Sequence, residues 1–213
     1  MNYTELVTAI QAFTEYAEAD FVTNIPNFVK SAEEQIQADA ELPIYRRTQQ
    51  ATLTASTAYL DTPSDFISPF FMKVYDGSGA ETILIEKSHD WLVEAYGGAA
   101  AGLPKYYSLF DHNSFMFGPT PDDAYVVEVT YNAKITSIVD SSTNWIGDNA
   151  SNALLFGSLY YAALFMEAEE ATIQRYEKLF LDARKNLMDI GDWKTKRDEF
   201  RYPNIRPKEI RQP

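Results

Sequence analysis

The run from Leu154 to Met166 limits most strongly what this chain can fold into. Leu154, Leu155, Leu159, Ala162, Ala163 and Met166 leave a helix there with almost no polar face, so other elements must surround it. A membrane span needs about 20 apolar residues. This run is shorter and carries Gly157 and Ser158, so the expectation is a buried central helix.

Helices to surround it are present at both ends of the chain. Asn2 and Glu5 have capping-box spacing, and Leu6, Ile10, Phe13 and Ala17 then form one apolar stripe. A second helix is expected from near Asn24, with Pro26 in its first turn, where a missing N–H costs nothing. Phe28, Val29, Ala32 and Ile36 form its core side, and Pro43 closes it. Beyond the acidic stretch Glu167 to Glu170, the spacing of Ile173, Tyr176, Phe180, Ala183, Leu187 and Ile190 predicts a bundle seam, with Gly191 placed to cap it.

Between these ends the period changes. Ala51, Leu53 and Ala55 alternate with Thr52, Thr54 and Ser56, and Ile83 and Ile85 with Leu84 and Glu86. Phe115 and Phe117 come next, and Tyr125, Val127, Val129 and Tyr131 face away from Val126, Glu128 and Thr130. Such alternation suits half-buried antiparallel strands. Ser88 caps a short helix that Gly97-Gly98 ends. The expected fold is therefore α+β: helices over 3–42 and 149–190 form a bundle, a β-rich insertion spans 45–140, and 191–213 is an extended tail.

Composition narrows the function. The formal charge is -13, which argues against a tight grip on a phosphate backbone. There is no cysteine, so disulfides, thiolate metal sites and cysteine nucleophiles are all excluded. The N-terminal residues lack the basic and apolar segments of a signal peptide. His89 and His112 are the two histidines, without zinc-motif company, and surface roles are expected for both. Neither GxSxG nor a P-loop occurs, and the glycines from Gly97 to Gly102 follow a helix, where a phosphate cradle would follow a strand. Asp122 and Asp123 could join Glu128 in acid–base work on a glycoside. However, an Asp-rich turn after proline is also what a corner before a strand requires, since Asp bonds its own backbone there, and the corner is the reading the residues favour. No cofactor, metal or catalytic residue is expected.

In their order and spacing, several segments resemble the head-to-tail adaptor (connector) proteins of tailed bacteriophages. They are Tyr-Thr-Glu-Leu-Val at 3–7, Ile-Pro-Asn-Phe-Val-Lys-Ser-Ala-Glu at 25–33 and Gly-Leu-Pro-Lys-Tyr-Tyr at 102–107. Pro-Thr-Pro-Asp at 119–122, Asn-Trp at 144–145 and Leu-Phe-Gly-Ser-Leu at 155–159 complete the set. The resemblance implies a structural virion protein at the head-tail junction, assembled in the host cytoplasm. Its partners would be the portal ring, neighbouring adaptor subunits in a ring of twelve, and tail tube or nozzle proteins. DNA would pass through the channel without sequence-specific binding, and no membrane is involved. A head-completion or tail-terminator ring is the nearer alternative; a carbohydrate-binding module or acidic hydrolase is the more distant one.

Residues 191–213 hold seven basic and four acidic side chains, a net of +3 that leaves -16 on the preceding 190. Pro203, Pro207 and Pro213 exclude a continuous helix at the end, and the few apolar residues cannot build a core. Such a segment is either a frayed terminus or a docking arm. As an arm it would engage the portal or a neighbouring subunit through Lys194, Arg197, Arg201, Tyr202, Ile205, Arg206 and Arg211, since Arg and Tyr dominate interface anchors. The resemblance also implies portal engagement by a C-terminal extension.

Overall fold

A computed structural model describes residues 1–39, 45–98 and 101–201, from 189 on as a backbone path only. In chain order the elements begin with α1 (Tyr3–Thr14), α2 (Ala19–Asp39), β1 (Arg46–Thr52), β2 (Tyr59–Asp61) and β3 (Phe66–Tyr75). There follow β4 (Glu81–Ile83), β5 (Ile85–Glu86), α3 (His89–Tyr96), β6 (Tyr106–Asp111), β7 (Ser114–Gly118) and β8 (Val126–Ala133). The remaining elements are α4 (Ile138–Ser141), α5 (Trp145–Asn149), α6 (Ser151–Phe165) and α7 (Glu170–Arg201). This is the α+β fold expected from the change of period. It divides into a helical unit, Met1–Pro43 with Thr136–Pro213, and a β unit, Ile44–Ile135.

In the helical unit, α6 is the central element and packs against α1, α2, α5 and α7. Leu154, Leu159, Ala162 and Ala163 are fully buried. Leu6 and Ile10 meet them from α1, and Val29, Ala32 and Ile36 from α2. From α7, Phe180 and Leu187 are buried and Ile173, Tyr176 and Ala183 half-buried, so the seam forms as spaced through Leu187; the Ile190 side chain lies outside the described residues.

Four boundaries differ from expectation. The α1 stripe is shorter: Glu15 turns into the left-handed region, Phe13 is 55% exposed, and Ala17 lies past the helix. The second helix starts at Ala19, so Pro26 is inside it. An interior proline costs about 3 kcal/mol, but Phe21 and Ile25 are fully buried on the same side as Val29, and burying a large apolar side chain contributes about 1.5–3 kcal/mol. Tertiary burial thus carries the helix through its breaker. Met166 is the half-buried C-cap of α6 rather than part of its core. Finally, Gly191 does not stop α7, which continues to Arg201. Pro43 lies outside the described residues.

The β unit has two four-stranded sheets, ordered β1-β8-β3-β4 and β2-β7-β6-β5. Every pair is antiparallel except β5 with β6, which is parallel. The two sheets share one core: Met72, Val74, Val127, Val129 and Tyr131 from the first, Tyr107, Phe115 and Phe117 from the second. β8 alternates as its sequence does, with Val127, Val129 and Tyr131 inward. The 81–86 segment departs from the simple pattern. Leu84 is buried there, while Ile83 is 62% and Ile85 54% exposed, because the chain crosses from the edge of one sheet to the edge of the other at Leu84.

Candidate functional site

The acids of the 119–131 stretch hold a corner. The Asp123 carboxylate accepts from its neighbour Ala124 N–H at 2.7 Å, Asp122 accepts from the Tyr125 hydroxyl at 2.7 Å, and the Pro121 carbonyl accepts from Ser56 N–H at 2.8 Å. Glu128 belongs to a different network on the outer face of the first sheet. It accepts from Gln50 Nε2 at 3.0 Å and from the Tyr75 hydroxyl at 3.1 Å, and it pairs with Lys73 Nζ at 3.0 Å. Lys73 also reaches Glu81 at 3.3 Å. Bonds from Gln50 first, then Lys73 and Tyr75, hold the Glu128 carboxyl below the usual range. A general acid for glycoside cleavage needs the opposite, a carboxyl raised by its surroundings. These residues cross-brace strands.

The histidines are equally structural in setting. His89 is the first residue of α3, which Ser88 caps, and its ring lies 5.1 Å from Phe110. His112 is exposed in the turn that Asp111 organises by accepting from Asn113 N–H and the Ser114 hydroxyl. Among the described residues no three His, Asp or Glu side chains converge as metal ligands would. Among those same residues no helix is long and apolar enough to cross a membrane.

The segments behind the adaptor resemblance meet one another. Glu33, at the end of the 25–33 segment, is 3% exposed, and its Oε1 accepts from Ile138 N–H at 2.9 Å and from Asn144 Nδ2 at 2.6 Å. Asn144 Oδ1 in turn caps α5 by accepting from Gly147 N–H at 2.9 Å. The Tyr3 N–H of the 3–7 segment donates to the Ser142 carbonyl at 2.9 Å, and Gly157 of the 155–159 segment lies against Ala32 and Phe180. In the β unit the 102–107 and 119–122 segments join through Gly102 N–H to the Thr120 carbonyl at 2.8 Å. The six segments are joints of a framework. Glu33 carries no signal as a single residue, because an acid amid helical polar positions looks like a solvated one. It stands between the core positions Ala32 and Ile36 and beside Glu34, so the apolar spacing does not mark its burial. Only the partner Asn144, 111 residues away, reveals it.

Of the basic positions expected to dock, Lys194, Arg197 and Arg201 fall on the last turns of α7. Tyr202, Ile205, Arg206 and Arg211 lie outside the described residues.

Three comparisons bear on identity. The family model described as SU10 adaptor protein matches residues 1–207. Comparison with curated protein sequences finds no significant match. Among solved structures, a chain from the "Neck of empty GTA particle computed with C6 symmetry" is 16% identical with a TM-score of 0.27, covering 80% of this chain and 87% of that one. The family match spans nearly the whole sequence and includes every segment on which the resemblance rests, so the chain belongs to the SU10 adaptor protein family.

Proposed function

We propose that this protein forms the head-to-tail adaptor ring of a phage neck. It docks on the portal, extends the channel for DNA and offers the platform on which tail components assemble. The family match over residues 1–207 carries this reading. The framework nature of the matched segments supports it, because they build joints and assemble no reactive groups. A ring of about twelve copies, each with a formal charge of -13, would present a strongly acidic assembly. DNA carries one negative charge per ~1.7 Å of axis, so acidic surroundings would let it slide where basic ones would hold it.

The basic end of the chain is the portal arm in this reading. Lys194, Arg197 and Arg201 recur at intervals of three and four along α7, and Tyr202, Ile205, Arg206 and Arg211 follow. Electron microscopy of the protein mixed with its portal tests the reading: a closed ring of copies on the portal is expected, and no binding across a range of salt concentrations rejects it. A chain ending at Ile190 tests the arm. Leu187 is the last buried residue described, so that chain should melt close to the full-length protein yet fail to load. Loading with unchanged affinity would rule the arm out.

A further inference from the structure

The β unit ends in edge strands on two sides. One side ends in β4 and β5, which only Leu84 separates; the strand orders put β1 and β2 at the other.

On the first of these sides, Ile83 and Ile85 are both more than half exposed, in short strands flanked by Glu81 and Glu86. Edge strands turn alternate N–H and C=O groups outward, ready to pair. On the other side, β1 overhangs the core. Its register sets Arg47 and Gln49 opposite Tyr131 and Val129, which are buried, and directly opposed residues share a face. Arg47 and Gln49 are nonetheless exposed, as is nearly all of β1 on both faces. Long edge strands left open in this way are templates for another chain.

The charges on the two sides differ in sign. β1 holds Arg46 and Arg47 and no acid, whereas residues 81–86 hold two glutamates and no base. Arg47 already pairs with Asp65 and Glu81 with Lys73, but Arg47 and Glu81 are themselves more than half exposed, so water screens their charges and leaves them open to a further partner. Pairing either side with itself would oppose like charges. Pairing one with the other sets Arg against Glu and covers Ile83 and Ile85. A contact between two different patches is heterologous, and repetition of it produces a ring or a filament.

We infer that the β1 side of one copy docks on the β4–β5 side of the next, so that the sheets run on from subunit to subunit. This rests on the proposed ring and names the surface that builds it.

The chain has no native cysteine, which makes the test direct. Full-length protein carrying Thr48→Cys and Ile83→Cys together is loaded on portal and treated with a short bifunctional maleimide. A ladder of multimers extending beyond the dimer is expected, while each single-cysteine chain stays monomeric on the gel. A dimer from the Ile83→Cys chain alone would show self-pairing and overturn the inference. A ring that assembles on portal without a ladder would overturn the edge contact and leave the ring reading standing. Failure of the unsubstituted protein to assemble would overturn both. As a second arm, Ile85→Lys, which sets a base on the acidic side against Arg46 and Arg47, should melt like the parent, since its side chain is exposed, yet lower the assembled fraction at least tenfold; full assembly of that variant would count against the contact.

Discussion

The helical and β units handle polar groups in opposite ways. In the helical unit the key cross-element polar contact is buried: Glu33 accepts from Ile138 N–H and Asn144 and ties α2 to the start of α4 and to the cap of α5. In the β unit the main network, Gln50 with Glu128, Lys73 and Tyr75, lies on an outer sheet face near solvent. A central helix packed by four others leaves no backbone open, whereas both sheets end in strands that can accept partners. The helical unit is therefore where a substitution should cost folding, and the β unit where it should cost association.

The largest expected effect tests the first half of that contrast. Leu159 is fully buried in the middle of α6, and Leu159→Asp places an unpaired carboxylate there. Such burial costs several kcal/mol, against a total stability of roughly 5–15 kcal/mol. The helical unit should lose its cooperative transition in circular dichroism; a soluble variant melting at the parental temperature would break the comparison.

Alkali should act on the β unit next. Burial pushes the Tyr107 and Tyr131 hydroxyls up to about 12, and a hydrogen bond to the Asp122 carboxylate does the same for Tyr125. An unfolded tyrosine ionises near pH ~10. Because the folded values are raised, the stability these groups contribute is fully present below about pH 10 and lost as pH rises through about 12. Tyrosinate absorbance should show a late-titrating class, and Tyr125→Phe should shrink it. A single titration step near pH ~10 for all fourteen tyrosines would contradict this.

Two milder substitutions probe the helical joints. Glu33→Ala leaves Ile138 N–H without its acceptor and Asn144 Nδ2 with the Thr136 carbonyl alone, at a cost of about 1–3 kcal/mol in urea unfolding, and Glu33→Gln, which keeps an acceptor oxygen, should cost less. For Gly157→Ala, a Cβ would stand 2.7 Å from the Phe180 ring and 2.8 Å from Ala32 Cβ. Overpacking costs about 1–3 kcal/mol and better helix propensity returns about 1, so a net loss of about 0–2 kcal/mol is expected. A gain in stability would show that the α2–α6–α7 contact yields easily.

Much of this is legible in the sequence because periodicity reports burial. The apolar α6 as far as Ala163, the α7 seam as far as Leu187, the β8 alternation and the Asn2–Glu5 capping box all form as spaced. Where the reading fails, a local signal is overridden by something distant. Pro26 and Gly191 are good punctuation marks, yet α2 passes through the first and α7 through the second. Phe13 fits the α1 stripe by spacing, but it lies in the last turn before Glu15 ends the helix and stays exposed, while Leu6 and Ile10 of the same stripe are buried. The short helices α4 and α5 have too few residues for any period to emerge. Glu33 and the overhang of β1 depend on contacts across the chain, which spacing does not encode.

The smallest expected effect returns to the surface of the β unit. The Arg46 guanidinium lies 3.8 Å from the centre of the Phe70 ring, and Phe70 is 53% exposed. A cation–π contact at an exposed site contributes about 0.5–1 kcal/mol, and water already covers half the ring, so Phe70→Ala should lower stability by no more than that. The same change releases the Arg46 side chain from its stacked position at the end of β1. If β1 is an assembly edge, Phe70→Ala should alter the assembled fraction more than it alters the melting temperature. If it lowers stability by several kcal/mol instead, the ring is part of the folding core, and the contrast between a closed helical unit and an open β unit fails at that point.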